Sequence, residues 1–212
     1  MDYLRWGVLG ASKFALEHLT PAIQLAKNNR FNALASGSKE KSADFVMLEP
    51  EIELYDTYNE LLADDGIDAV YIPLPNTMHV DWTVQAIKSG KHVLCEKPIA
   101  MRAEEINELI KLRDDTGLLV AEAYMIVHHP QWQKAREIVQ SGILGDLIQV
   151  DSVFSYNNQA DLENIRNNSK MGGGGLPDIG VYTLGSVRFV TGQEPVAIQH
   201  ADIKYENGVD VW

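Results

Sequence analysis

Unbroken apolar runs alternate with helix-period segments from residue 3 to residue 121, and this alternation restricts the fold more than any other feature of the sequence. Strands that are apolar on both faces are typical of a parallel sheet that helices cover on both sides. The pattern therefore predicts an α/β fold with a doubly wound parallel sheet, in a first domain that spans residues 1–122. Strands are predicted at 3–9, 32–35, 69–74, 92–95 and 118–121, helices at 14–27, 39–48, 78–89 and 103–116, and a short helix after a capping box of Thr57 and Glu60.

The pattern changes after residue 122. A helix at 131–141 is followed by a long, partly alternating strand at 147–156, an Asn-rich stretch at 157–169, a helix at 178–190 and a strand at 196–205. We therefore predict that residues 123–212 begin a second α/β domain with a mainly antiparallel open sheet. The turn-like Glu206-Asn207-Gly208 indicates a hairpin near the last residue. We expect this domain to be incomplete and the chain to be part of a longer protein.

The composition excludes several classes of partner. The formal net charge is −12, and an acidic surface repels nucleic acid and anionic lipid. The single cysteine, Cys95, cannot form an internal disulfide, which fits a reducing compartment. No apolar stretch approaches the roughly 18 residues of a membrane span, and residues 1–6 lack the regions of a signal peptide. We expect a cytoplasmic protein that binds neither nucleic acid nor membranes.

A glycine motif stands at the first strand-to-helix turn, where residues 7–15 read Gly-Val-Leu-Gly-Ala-Ser-Lys-Phe-Ala. Aligned with G-x-G-x-x-G/A, the three key positions are Gly10, Ser12 and Ala15, and the pyrophosphate of a dinucleotide would lie at the start of the helix. Ser12 replaces a glycine, so an ordinary glycine-containing turn is the alternative. The motif predicts a Rossmann-type domain whose cofactor contacts include Gly10, Ala11, Ser12, Lys13 and Phe14.

The end of the second strand indicates which dinucleotide is bound. A site that prefers NAD usually has Asp or Glu there to bind the ribose 2′-hydroxyl. This chain has small hydroxyl residues followed by two lysines, and together they could hold a 2′-phosphate. We therefore predict NADP, with NAD possible, and the alternative is that the lysines are solvated residues at a helix start. The residues concerned are Ser36, Ser38, Lys39 and Lys41.

Three further motifs lie where ligands bind in such folds, beyond the carboxyl ends of strands. Residues 73–79 read Pro-Leu-Pro-Asn-Thr-Met-His, residues 95–98 read Cys-Glu-Lys-Pro, and residues 172–182 read Gly-Gly-Gly-Gly-Leu-Pro-Asp-Ile-Gly-Val-Tyr. Together they resemble the glucose-fructose oxidoreductase / inositol dehydrogenase family (Gfo/Idh/MocA). The chain is most similar to the branch that holds glucose-fructose oxidoreductase, xylose dehydrogenases and dimeric dihydrodiol dehydrogenase.

The resemblance implies a site and an activity. In such enzymes the lysine of Glu-Lys-Pro lies near the nicotinamide, which indicates Lys97, and its bond to Pro98 is often cis. Asp178 and Tyr182 would face the substrate, with Tyr182 as the acid/base. The resemblance also implies a sugar, polyol or vicinal diol as substrate and a homodimer or homotetramer. Further cofactor contacts are expected at Pro73, Leu74, Pro75, Asn76, His79, Glu96 and Lys97.

Acid–base chemistry agrees with these roles. A free tyrosine has a pKa of about 10, too high for a base near neutrality, and a neighbouring ammonium such as that of Lys97 lowers it. Many relatives have an arginine where this chain has Val127, so no particular sugar specificity can be transferred. His128 and His129 are adjacent and lack a supporting cluster, so no metal is predicted. The leading hypothesis is an NADP-dependent oxidoreductase, and the alternative is a non-catalytic NAD(P)-binding regulatory or sensor protein.

Overall fold

The computed structural model describes residues 3–161 and 163–211. The chain forms two compact units, Met1–Ala123 and Tyr124–Trp212. The first unit is built on a six-stranded sheet in which every neighbouring pair is parallel, in the order β3-β2-β1-β4-β5-β6. This is the strand order of a dinucleotide-binding fold, and it confirms the predicted parallel sheet. The strands are β1 (Leu4–Leu9), β2 (Asn29–Ala35), β3 (Glu53–Tyr55), β4 (Ala69–Ile72), β5 (His92–Glu96) and β6 (Val120–Ala123).

Helices connect these strands, and their ends carry the expected capping residues. Ser38 accepts a hydrogen bond from the backbone N–H of Lys41, and the predicted capping box of Thr57 and Glu60 is present. Gly117 ends its helix in the left-handed conformation, with φ of 70°. The helices are α1 (Thr20–Leu25, preceded by a π-helical turn Ala15–Leu19), α2 (Lys39–Leu48), α3 (Tyr58–Ala63), α4 (His79–Lys88) and α5 (Ala103–Thr116).

The first unit has a hydrophobic core on each face of the sheet. On β1, Val8 belongs to one core and Leu9 to the other, and on β4, Tyr71 and Ile72 divide in the same way. All four side chains are fully buried. Burial on both faces explains why these strands lack polar alternation. The core therefore holds the strand ends, and with them the loops at the carboxyl edge of the sheet, in fixed places.

The second unit contains α6 (Pro130–Gln140), α7 (Val181–Thr191) and a hairpin of β7 (Tyr205–Glu206) with β8 (Val209–Asp210). The predicted hairpin turn is confirmed, because Asn207 and Gly208 both have positive φ, of 52° and 80°. The long strands predicted at 147–156 and 196–205 do not form, apart from the short β7. A strand needs a neighbouring strand for its backbone hydrogen bonds, and among the described residues only the end of the second segment, at β7, has one.

None of the described helices combines the length and the apolar character that a membrane span requires.

Candidate active site

The carboxyl edge of the parallel sheet gathers most of the predicted cofactor residues. Parallel strands end on the same side, so the segments that follow β1, β2, β4 and β5 meet at one edge. The order of strands reverses between β1 and β4, where such folds bind ligands. The residues at this edge are Gly10, Ala11, Ser12, Lys13, Phe14, Ser36, Ser38, Lys39, Lys41, Pro73, Leu74, Pro75, Asn76, Glu96 and Lys97.

The turn after β1 adopts its conformation only because Gly10 has no side chain. Its φ is 103°, and a Cβ there would lie 2.8 Å from Cδ2 of Leu74. Ser12 donates its backbone N–H to the carbonyl of Gly10, at 2.9 Å, and its hydroxyl accepts from the N–H of Ala15, at 3.0 Å. The serine that departs from the glycine pattern therefore caps the following helix. A bare turn before a helix N-terminus fits the pyrophosphate of a dinucleotide.

The turn after β2 places two cations at the start of α2. The Ser36 hydroxyl accepts from the N–H of Ser38, and the Ser38 hydroxyl accepts from the N–H of Lys41. Lys39 and Lys41 are exposed, and within the described ranges neither forms an ion pair. Positive side chains at the positive end of a helix are unfavourable without a counter-charge. This turn is therefore suited to an anionic group.

His79 lies inside the protein rather than on the cleft surface. Its ring is fully buried, with Nδ1 2.7 Å from the carbonyl oxygen of Pro98 and Nε2 2.8 Å from that of Leu74. A neutral imidazole has one N–H and hydrogen bonds to only one of these oxygens, whereas an imidazolium bonds to both. His79 was predicted as a cofactor contact, but with no accessible surface it instead joins the loop after β4 to the loop after β5.

Side-chain carboxylates also fix the segment that carries Lys97. The Glu96 carboxylate accepts from the hydroxyl of Tyr71, at 2.6 Å, and from the N–H of Lys97, at 3.3 Å. The Lys97–Pro98 bond is cis, as the sequence resemblance implied. The N–H of Ile99 then donates to Oε1 of Glu122, at 2.8 Å. Two carboxylates thus hold the backbone on both sides of the half-buried Lys97.

In the second unit, the glycine-rich segment leads into the helix that carries Asp178 and Tyr182. Gly172 and Gly174 have positive φ, of 75° and 132°, and the next turn, Leu176–Gly180, is π-helical before α7 begins. Short π-helical turns are frequent at functional sites. Asp178 lies within this turn and is 9% exposed. A buried carboxylate needs partners, and they come from outside the helix.

Two residues that the sequence analysis did not select bind the Asp178 carboxylate. The hydroxyl of Tyr156 donates to Oδ2 at 2.5 Å, and Nε of Arg166 lies 2.9 Å from Oδ1. Burial, followed by the hydrogen bond to Asp178, raises the pKa of Tyr156 to about 12. The sequence contained one feature that could have identified Arg166 as a functional residue, because it is the only basic residue in the Asn-rich stretch 157–169.

Aromatic rings orient the other predicted catalytic residue of this unit. The ring of Tyr182 stacks on Tyr124 with centroids 5.6 Å apart and an interplanar angle of 20°, and Phe154 packs at 5.8 Å. Tyr124 in turn donates its hydroxyl proton to the carbonyl of Val181, at 2.9 Å. Tyr182 is therefore a half-buried phenol with a restrained ring plane. In the described ranges, no group of three His, Cys, Asp or Glu side chains is arranged to hold a metal ion.

Comparisons with known proteins agree with this architecture. Residues 4–124 match the model of an oxidoreductase family with an NAD-binding Rossmann fold, and residues 132–211 match the Gfo/Idh/MocA C-terminal domain. An uncharacterized oxidoreductase of Rhizobium meliloti is 41% identical over 92% of this chain and 58% of its own length. D-xylose 1-dehydrogenase (NADP⁺) 2 of Haloferax volcanii is 37% identical over 89% of this chain and 58% of its own length.

A solved structure is similar as well. The crystal structure of a 3-ketoreductase from Actinomadura kijaniata, in complex with NADP and TDP-benzene, matches with a TM-score of 0.80 and 30% identity over 89% of this chain and 57% of that chain. The chain spans 58% of the length of the two sequence relatives described above. Since the two family models together cover most of its residues, this chain belongs to the Gfo/Idh/MocA family of oxidoreductases.

Proposed function

We propose that this protein is an NADP-dependent oxidoreductase acting on a CH–OH group of a sugar, polyol or vicinal diol. The observation that carries the proposal is the buried Asp178 carboxylate, held by two donors, in the same helical segment as the restrained phenol of Tyr182. Relatives named as an NADP⁺-dependent xylose dehydrogenase and as a ketoreductase in complex with NADP support it.

The carboxyl edge of the first unit supplies the proposed cofactor site. Gly10 and the helix start after Ser12 would hold the pyrophosphate, and the turn that carries Lys39 and Lys41 would hold the 2′-phosphate. When bound, the nicotinamide supplies the hydride acceptor or donor. The protein's own part is to orient the substrate and to move a proton at its hydroxyl.

Tyr182 and Lys97 are assigned to the proton transfer. The phenol of Tyr182 would exchange a proton with the substrate hydroxyl, acting as a base in oxidation and as an acid in reduction. In this assignment the ammonium of Lys97 would supply the positive charge that favours the phenolate form of a tyrosine base. Asp178 would accept a hydrogen bond from a substrate hydroxyl and so fix which carbon faces the nicotinamide.

A cavity of about 340 Å³ in the second unit supports an uncharged, hydroxyl-rich substrate. Three carboxylates line it, those of Asp178, Glu206 and Asp210, and its one cationic side chain is Arg166, which pairs with Asp178. An anionic nucleotide-linked sugar would meet net negative charge there, whereas hydroxyl groups match the amide donors and acceptors. The amide side chains are those of Asn157, Asn158, Gln159, Asn167 and Asn207.

Turnover assays test the proposal. The protein is incubated with NADP⁺ or NAD⁺ and with aldoses, inositols or aromatic dihydrodiols, and reduced nicotinamide is followed by absorbance. We expect turnover with at least one diol or sugar, and a loss of about 10²- to 10⁴-fold in Tyr182→Phe and Lys97→Ala, because each removes a group from the proton transfer.

Binding measurements and control variants accompany the assays. NADP should still bind to both variants, and Tyr205→Phe and Lys111→Ala, at exposed positions, should keep full activity. Cofactor binding without turnover on every substrate would support a sensor protein instead. Rates close to wild type in either Tyr182→Phe or Lys97→Ala would refute the assigned roles.

A further inference from the structure

The Asp178 carboxylate is held at both oxygens by donors from two other segments. Tyr156 lies in the segment that precedes the Asn-rich stretch, and Arg166 lies in the short 3₁₀ turn Ile165–Asn167. Their donors bind different oxygens, the hydroxyl of Tyr156 at Oδ2 and Nε of Arg166 at Oδ1. Contacts at both oxygens fix the carboxylate plane, which one contact alone would leave free to rotate.

We propose that Tyr156 and Arg166 are positioning residues that keep the Asp178 carboxylate ionised and in a single orientation for a substrate hydroxyl. This inference rests on the proposed function, because it assigns these residues to the same substrate site. Neither residue is a catalytic residue in this scheme, since each acts through Asp178.

Burial makes these two donors necessary. A carboxylate with 9% exposure loses most of its hydration, and without compensation it would take up a proton. The guanidinium of Arg166 supplies the opposite charge, and the phenol of Tyr156 supplies a short charge-assisted hydrogen bond. An ionised carboxylate accepts a hydroxyl proton in a hydrogen bond, and a protonated one is a poorer acceptor. Tyr156, Arg166 and Asp178 together form a clamp, and its two donors therefore determine whether Asp178 can accept a hydrogen bond from a substrate hydroxyl.

The electrostatics of the two donors are consistent with this role. Burial lowers the pKa of Arg166, but the charge of Asp178, with smaller contributions from Tyr156 and Tyr182, raises it overall. The pKa of about 12 keeps the Tyr156 phenol protonated at neutral pH, so it remains a donor. All three residues of the clamp line the cavity in this unit.

A double-mutant cycle tests whether the two residues act through Asp178. Arg166→Lys and Tyr156→Phe are each made alone and combined with Asp178→Asn. Each single variant should lower kcat/KM for the best substrate about 10- to 100-fold, which corresponds to losing a hydrogen bond to a charged group. NADP affinity should stay unchanged. In the Asp178→Asn background neither substitution should cause a further loss, and additive losses would overturn the proposal.

Matched controls separate positioning from folding. Arg188→Lys alters an arginine of the same unit that pairs with the exposed Glu194, and Tyr205→Phe removes an exposed hydroxyl. Both controls should retain wild-type kcat/KM. Melting temperatures of all variants identify any that fail to fold, and for those Arg166→Gln and Tyr156→His provide replacements.

A spectroscopic titration keeps this inference distinguishable from the proposed function. The absorbance difference between wild type and Tyr156→Phe isolates the ionisation of Tyr156, expected at about pH 12. In Asp178→Asn that ionisation should move to lower pH, because the neighbouring negative charge is gone. A wild-type protein without turnover on any substrate would refute the proposed function alone. An unchanged Tyr156 titration in Asp178→Asn would refute the clamp, whether or not the protein turns over a substrate.

Discussion

At Gly10, the absence of a side chain allows the turn after β1, the proposed pyrophosphate site, to adopt its conformation beside Leu74. Alanine at this position would adopt a strained positive φ and would bring its Cβ to 2.8 Å from the Leu74 side chain. We expect Gly10→Ala to destabilise the protein by about 1–2 kcal/mol and to weaken NADP binding at least tenfold. Thermal melts and fluorescence titration with NADPH measure the two effects. Gly37→Ala is the control for stability, since a Cβ there meets nothing within 4 Å; equal melting temperatures for both variants would contradict the prediction.

Residues with a backbone signature could be identified from sequence, whereas their partners could not. Gly10 and Pro98 stand in motifs because only certain residue types suit their conformations. Tyr156 and Arg166 reach Asp178 across 22 and 12 positions, and no local pattern encodes such a contact. For His79 the motif was recognised but the environment of the side chain was not. It was predicted to contact the cofactor, whereas its ring nitrogens lie within hydrogen-bond distance of the backbone carbonyl oxygens of Pro98 and Leu74.

We expect the start of α2 to determine the choice between the two dinucleotides. Its two uncompensated lysines have a suitable partner in a 2′-phosphate, which NAD lacks. Replacing both Lys39 and Lys41 with alanine should weaken NADPH binding about tenfold or more and change NADH binding less than about twofold. Isothermal titration with each cofactor measures this, with Lys111→Ala/Lys134→Ala as a control of equal charge change. Equal losses for the two cofactors would rule out the phosphate contact.

Helices and strands were predicted correctly where the pattern of apolar residues in the sequence matches their burial in the fold. Five of the six parallel strands were expected, because each coincides with an apolar run in the sequence, and β1 and β4 are buried on both faces. The sixth, Glu53–Tyr55, is three residues long and mostly exposed, so it has no apolar run to detect. The segments 147–156 and 196–205 have strand-like composition, but composition cannot supply the neighbouring backbone that makes a strand. Side chains such as Ile148 and Val196 accordingly remain exposed.

At the scale of the whole molecule, local charge and total charge give different information. The net charge of −12 argues against polyanionic partners, while the turn at Lys39 and Lys41 favours a phosphate. A dinucleotide is small enough to be recognised by one turn, whereas nucleic acid would contact a wide surface. The local charge also differs between the proposed sites of the two units. Cationic groups line the edge proposed for the cofactor, and carboxylates outnumber the one arginine in the cavity proposed for the substrate.

The acid stability of the molecule should depend on an ion pair far from the proposed chemistry. Asp68, just before β4, accepts hydrogen bonds from the backbone N–H, Nε and Nη2 of Arg5 at 2.9, 2.9 and 2.7 Å. The hydrogen bond from the Arg5 guanidinium lowers the pKa of Asp68 below 3.8, although burial opposes this. A carboxyl with a lowered pKa stabilises the fold above its unfolded pKa, and that stability is lost as the pH falls through its folded pKa.

The melting temperature of wild type should therefore exceed that of Asp68→Asn at neutral pH, and the difference should shrink below about pH 4. Circular dichroism melts from about pH 7 to about pH 2 measure it. Asp44→Asn, at an exposed carboxylate on α2, should show no such trend. A difference between wild type and Asp68→Asn that stays constant down to the lowest pH would contradict the assignment.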